Sequence, residues 1–134
     1  VILVEDDPDT EALIVRALRR ARVAEVMIAR DGQEAIDVLG QLDRRPELVL
    51  LDLKLPKLDG LQVLDRVRNM EFARGVPIVV FSSDDGAHSR AHALQLGAID
   101  YAVKPTAFED LTLAVHQLVQ RFVIELPSTC LSAR

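Results

Sequence analysis

Sulfur and aromatic side chains are scarce in this chain. Its 134 residues include one cysteine, two methionines, one tyrosine, four phenylalanines and no tryptophan. A lone cysteine, Cys130, closes no internal disulfide, which excludes the stapled extracellular scaffolds, and it is read as a bystander. With so few rings, the core has to be built from Leu, Val, Ile and Ala. Positive charge is also short. Sixteen Lys and Arg stand against twenty-one Asp and Glu, a net charge of −5, and dedicated nucleic-acid binders normally show the opposite balance. No apolar run approaches the roughly 18 residues of a membrane-spanning helix, because charges interrupt each one, and no secretory signal pattern is visible. We therefore expect a cytoplasmic domain that binds neither nucleic acid nor membrane. Since the first residue is Val1 rather than Met, a few further residues are expected ahead of it.

What is present suits one domain with one core: 49% of residues are hydrophobic and 28% charged. Short apolar runs alternate with longer amphipathic stretches. The run Val1–Val4 stops at Glu5, Asp6 and Asp7. Asp7 then serves as N-cap of a helix that Pro8 opens, with Leu13, Val15, Ala17 and Leu18 at helical spacing. Residues 25–29 form a second strand, and Asp31 with Glu34 has capping-box spacing before a second helix. Residues 47–51 form a third strand ending at Asp52, and a helix follows over 61–69. Residues 76–81 form a fourth strand ending at Ser82, then a helix over 86–96 stopped by Gly97. Residues 99–103 form a fifth strand ending at Lys104. Thr106 and Glu109 repeat the capping-box spacing before a last helix. Five strand–helix units with uniformly apolar strands predict a parallel sheet, doubly wound, with helices on both faces: a three-layer α/β/α domain.

In such a sheet ligands bind beyond the carboxyl ends of the strands. The residues there are Glu5, Asp6 and Asp7 after the first strand, Asp52 after the third, Ser82 after the fourth and Lys104 after the fifth. Gathered carboxylates repel one another unless a cation neutralises them, and hard oxygen ligands favour Mg²⁺. A lysine and a hydroxyl beside that cation are the donors a phosphoryl group requires.

The segments VEDDP (Val4–Pro8), LLDLKLPKLDG (Leu50–Gly60), VVFSS (Val79–Ser83) and DYAVKP (Asp100–Pro105) occur in that order. With them the chain resembles the receiver domain of two-component response regulators over about residues 1–124, leaving 125–134 as a C-terminal extension. The resemblance implies the flavodoxin-like fold of that family and a phosphoacceptor rather than an enzyme in its own right. Asp52 then takes the phosphoryl group from a sensor histidine kinase. Mg²⁺ sits on Glu5, Asp6, Asp52 and the backbone carbonyl of Lys54, while Lys104 contacts the acyl phosphate. Asp7 matches a variable position and stays a helix cap. Lys104–Pro105 resembles the family's cis peptide. Ser82 and Tyr101 match the switch pair, in which the hydroxyl moves toward the phosphoryl group and the ring turns in behind it. The surface of the fourth helix, fifth strand and fifth helix then carries the signal.

Lys54 and Asp84 lie two residues past Asp52 and Ser82, and we expect them to pair across the pocket mouth and hinder the attacking water. His88 and His92, at i and i+4, lack a third metal ligand and are read as facing solvent or a partner; His116 is read as a surface or interface residue. The ending FVIELPSTC and the apolar fifth helix resemble single-domain regulators paired with phytochrome-type kinases, which implies a homodimer through that helical surface. The remaining reading is a receiver module cut from a larger DNA-binding regulator or hybrid kinase. Phosphatases of the haloacid dehalogenase type want an acid where Lys54 stands, and a flavin or dinucleotide site wants a glycine- or hydroxyl-rich first loop where residues 5–8 are acidic.

Overall fold

A computed structural model of the chain describes residues 1–73 and 75–124. The extension at 125–134, with Leu126 and Cys130, lies outside the described residues. Five strands form one parallel sheet: β1 (Ile2–Val4), β2 (Met27–Ala29), β3 (Val49–Leu51), β4 (Ile78–Ser82) and β5 (Asp100–Val103). Their order across the sheet is β2-β1-β3-β4-β5. The helices are α1 (Pro8–Arg20), α2 (Gly32–Gly40), α3 (Gly60–Val67), α4 (Ala87–Gln95) and α5 (Phe108–Val119). A 3-10 turn precedes β4 at Glu71–Ala73, and α5 runs into a π-helical turn at Gln120–Ile124.

The period-two alternation of each strand divides the core between two faces. Ile2, Val4, Val49, Leu51, Ile78, Val80 and Tyr101 pack on one face with residues of α2, α3 and α4. Leu3, Leu50, Val79 and Phe81 pack on the other with α1 and α5. Every strand residue is buried only in the inner strands, although Ala29 of β2 and Tyr101 of β5 also enter the core. At the edges, Met27 of β2 and Val103 of β5 are 49% and 44% exposed, so the expectation of uniformly covered strands holds for β1, β3 and β4 alone.

Several local expectations change. In α1 the buried row is Ile14, Ala17 and Leu18, and Leu13 is on the outside; with the helix starting at Pro8, the i, i+3, i+4 stripe facing the sheet falls on Ile14. The box at Asp31 is half formed. Asp31 accepts the Glu34 N–H at 2.8 Å, but Glu34 accepts from Arg30 N rather than from Asp31 N. The box expected at Thr106 is absent: α5 starts two residues later, with Ala107 as its N-cap and no side chain capping it. A reciprocal box does close at α3, where Asp59 accepts from Gln62 N and Gln62 accepts from Asp59 N.

Asp7 and Asp31, the N-caps of α1 and α2, titrate below the ordinary aspartate range. The Thr10 hydroxyl is the main cause for Asp7 and the Glu34 N–H for Asp31. A depressed carboxyl pKa contributes stability that is present above the ordinary aspartate pKa and lost as pH falls through the folded value. We expect the urea midpoint to fall between about pH 5 and pH 2, and to fall less steeply in Asp31→Asn, whose amide caps without titrating. Equal slopes in both proteins would contradict this.

Helix α4 differs from the others. It buries Ala93 alone, whereas α5 buries Leu111, Val115, Leu118 and Val119. One buried methyl is worth about 0.8 kcal/mol, no more than a single hydrogen bond at about 1 kcal/mol. Polar ties therefore weigh as much as apolar packing in seating α4.

Candidate functional site

The register aligns Val4, Leu51, Val80 and Tyr101 in one row across β1, β3, β4 and β5. Glu5 and Asp52 are the next residues out of β1 and β3, and from there the chain turns to α1 on one face of the sheet and to α3 on the other, which opens a crevice between them. Ser82 ends β4 one residue further out, opposite Val103, and Lys104 follows Val103.

These side chains converge. Lys104 Nζ lies 2.8 Å from Glu5 Oε1 and 3.2 Å from Asp52 Oδ2. Glu5, Asp52 and Ser82 are buried, while Asp6 is exposed at the rim. The carboxylate oxygens of Glu5, Asp6 and Asp52 lie within 4.8 Å of one another, the one group of three or more potential metal-binding side chains among the described residues. Burial raises the Glu5 carboxyl pKa, the Lys104 hydrogen bond opposes that rise, and the Asp52 charge adds to it. For Lys104, burial works against the ammonium form, but the Glu5 hydrogen bond and the Asp52 charge prevail and its pKa stands above the ordinary lysine value. The ammonium ion is thus the internal counter-charge of an acidic cluster. The donor set is three hard carboxylates with an open side, and it fits a divalent cation of the Mg²⁺ type.

The loop after β3 is held tightly. Lys54 N–H reaches Asp52 Oδ1 at 3.5 Å, Gly60 N–H donates to Leu53 O at 2.8 Å, and Gly32 N–H donates to Pro56 O at 3.2 Å. Lys57 adopts φ +68° there and its ammonium lies 3.5 Å from Asp31.

Lys54 and Asp84 do line one cavity of about 450 Å³ together with Asp6, Leu55, Asp59 and Ser89, but they do not form the expected ion pair. The Asp84 carboxylate is occupied by its own loop and by α4: Oδ1 accepts Gly86 N–H at 2.8 Å and Oδ2 accepts the Ser89 hydroxyl at 2.7 Å. Those two bonds are the leading causes of its lowered pKa, with the Lys54 charge a minor one. A second expectation also fails. No described peptide bond is cis, so Lys104–Pro105 is trans. The trans form is the favoured isomer by about 0.5–1 kcal/mol, and from it Lys104 N–H donates to Ser82 O while Nζ reaches both carboxylates.

The switch pair is adjacent. Ser82 Oγ accepts Asp84 N–H at 3.2 Å, and the Tyr101 hydroxyl donates to Asp84 O at 2.5 Å. The Tyr101 ring is already turned inward, 4% exposed. Burial is the main reason its phenol pKa is raised, with the Asp84 charge next. His88 and His92 lie on the exposed side of α4 with ring centroids 6.2 Å apart and belong to no three-ligand cluster among the described residues. His116 is exposed on α5. Sequence reasoning missed Ser89 and Arg90, which touch this region from α4; a serine and an arginine on a mostly polar helix carry no signal of their own.

Together the 2-1-3-4-5 sheet and a lysine-bridged acidic crevice at its switch point define a doubly wound α/β domain whose clustered carboxylates could hold a cation. Residues 1–116 match the response regulator receiver domain, and the chain belongs to that family. It is 35% identical over 123 residues to the probable methanogenesis regulatory protein FilR2 of Methanothrix harundinacea, covering 88% of this chain and 79% of that one. Other curated relatives are spanned to 50% of their length. Among solved structures, the phosphorylated cyanobacterial phytochrome response regulator RcpA matches with a TM-score of 0.86 and 32% identity over 92% of each chain. The Mn²⁺-bound form of the response regulator Rcp1 matches at 0.82 and 30% identity, over 93% of this chain and 94% of that one. The family is a signalling domain. No helix among the described residues is long and apolar enough to cross a membrane.

Proposed function

We propose that this domain accepts a phosphoryl group on Asp52 from a sensor histidine kinase and signals through the surface of α4, β5 and α5. The observation that carries the reading is the bridge from Lys104 to both Glu5 and Asp52 beside the exposed Asp6. Asp52 Oδ2 is the nucleophile that would form the acyl phosphate. Lys104 holds that carboxylate in place and offers its ammonium to the incoming oxygens. Glu5, Asp6 and Asp52, with the backbone carbonyl of Lys54, would hold Mg²⁺, whose charge offsets that of the transferring group. Ser82 supplies a hydroxyl, and Tyr101 reports its position.

The likeness to RcpA, a phytochrome response regulator, is the basis for proposing a phytochrome-type kinase here, in a cytoplasmic setting. A homodimer through α4, β5 and α5 fits the exposed apolar side chains on that face, Leu94, Ile99, Val103 and Leu113. We take residues 1–124 as the receiver unit and 125–134 as an extension. A stand-alone regulator is favoured by the near-complete coverage of RcpA; the second reading, a receiver within a longer DNA-binding regulator or hybrid kinase, is favoured by relatives twice as long.

The test is incubation with Mg²⁺ and acetyl phosphate or beryllofluoride, followed by mass and size-exclusion analysis. We expect one adduct in the parent protein and none in Asp52→Asn. An adduct that persists in the variant, or none in either protein, overturns the assignment.

A further inference from the structure

Tyr101 is held at both ends by one helix. At its tip, the phenol donates to Asp84 O, and the Asp84 carboxylate is tied to α4 by the Ser89 hydroxyl at 2.7 Å. At its base, Arg90 Nη1 donates to the Tyr101 carbonyl at 3.0 Å, and the same guanidinium lies 5.9 Å from the ring centroid. Ser89 and Arg90 are consecutive residues of α4. Arg90 is itself oriented by Asp100, 3.8 Å away, and Asp100 is bonded at 2.7 Å to Arg121 in the turn after α5.

We propose that Ser89 and Arg90 are positioning residues that hold Tyr101 inward in the resting protein. Three observations converge on this. The apolar seam of α4 is one alanine, so its attachment depends on these polar ties. The Ser82 hydroxyl accepts the N–H of the same Asp84 whose carbonyl takes the phenol, which connects the hold to the crevice through one residue. The arginine makes both a hydrogen bond and a cation–π contact, a geometry that a lysine reproduces only in part. Through Asp100, the hold extends to Arg121 and hence to the end of α5. The inference concerns the resting position of the ring and does not depend on the phosphoacceptor reading.

The chain has one tyrosine and no tryptophan, so its intrinsic emission reports Tyr101 alone. The experiment is acrylamide quenching of that emission, without phosphodonor, in the parent protein, Ser89→Ala, Arg90→Gln, Arg90→Lys and the distant control Arg44→Gln. Loss of one ordinary hydrogen bond raises the outward population about fivefold. Quenching should therefore rise in Ser89→Ala and Arg90→Gln, rise less in Arg90→Lys, and stay at the parent value in Arg44→Gln. Far-UV circular dichroism and urea midpoints establish that each variant is folded; if Arg90→Gln does not fold, Arg90→Lys gives the Arg90 result. Parent-like quenching in a folded variant at either position, Ser89 or Arg90, overturns the two-point hold.

Discussion

Lys104→Met is expected to abolish adduct formation at Asp52 and to destabilise the domain by about 3–5 kcal/mol near neutral pH in metal-free buffer, the usual penalty for removing one partner of a buried ion pair. The parent protein places a single ammonium against two buried carboxylates, at 2.8 and 3.2 Å. Without it, Glu5 keeps the burial and the Asp52 repulsion that raise its pKa and loses the hydrogen bond that lowers it. An acid whose pKa is higher folded than unfolded binds more protons when folded, so the variant should gain stability as pH falls through the Glu5 value. The parent behaves differently at the alkaline end. Its Lys104 pKa is raised, so the stability it contributes is present below the ordinary lysine range and lost as pH rises through the folded value. Mg²⁺ should raise the urea midpoint more in the variant than in the parent, because a cation that binds only the folded state stabilises it by mass action. A variant as stable as the parent at neutral pH, with a flat pH profile, would show that the two buried carboxylates do not depend on the Lys104 ammonium.

The second large effect is at Gly60, the first residue of α3. Replacing an exposed helical glycine by alanine normally stabilises by about 1 kcal/mol. Here an added Cβ would lie 2.4 Å from Asp52 O and 2.7 Å from Leu53 Cα, and both of those atoms are backbone. Overpacking costs about 1–3 kcal/mol, and contacts this short with backbone atoms belong at the upper end of that range, so the clash decides the sign. Gly60→Ala should lower the urea midpoint and also slow modification of Asp52, whose own backbone must move. Gly32→Ala should behave in the same direction, since its Cβ would fall 1.9 Å from Leu58 O. Gly40→Ala is the contrasting case: the nearest atom is Met70 Cε at 3.6 Å, an ordinary contact. A gain of stability in Gly60→Ala would mean that the loop after β3 yields freely.

The strand ends were legible because one pattern reports them twice. Runs such as Leu48–Leu51 stop at a polar residue, and in a parallel sheet every such stop lies at the same end. That places Glu5, Asp52, Ser82 and Lys104 together before any coordinate is known. The start of α5 was misread because Thr106 and Glu109 have the spacing of a cap, yet spacing does not reveal that the chain leaving Lys104 is still turning there. The pairing of Lys54 with Asp84 failed for a similar reason. Proximity across a pocket mouth was foreseeable, but not that Gly86 and Ser89, nearer in sequence, would occupy the Asp84 carboxylate first.

One tyrosine in the chain turns out to be the buried ring beside Ser82, and a modest excess of acids has its focus where Lys104 meets Glu5 and Asp52. By itself the sequence determined the fold class, the order of the elements and the set of residues at the carboxyl end of the sheet, since periodicity and strand termination are local properties. Only the tertiary structure decided that one lysine bridges two acids and that Ser89 and Arg90 grip Tyr101. Those are contacts between segments far apart in the chain or choices among competing donors, and the three-dimensional packing sets which donor arrives first.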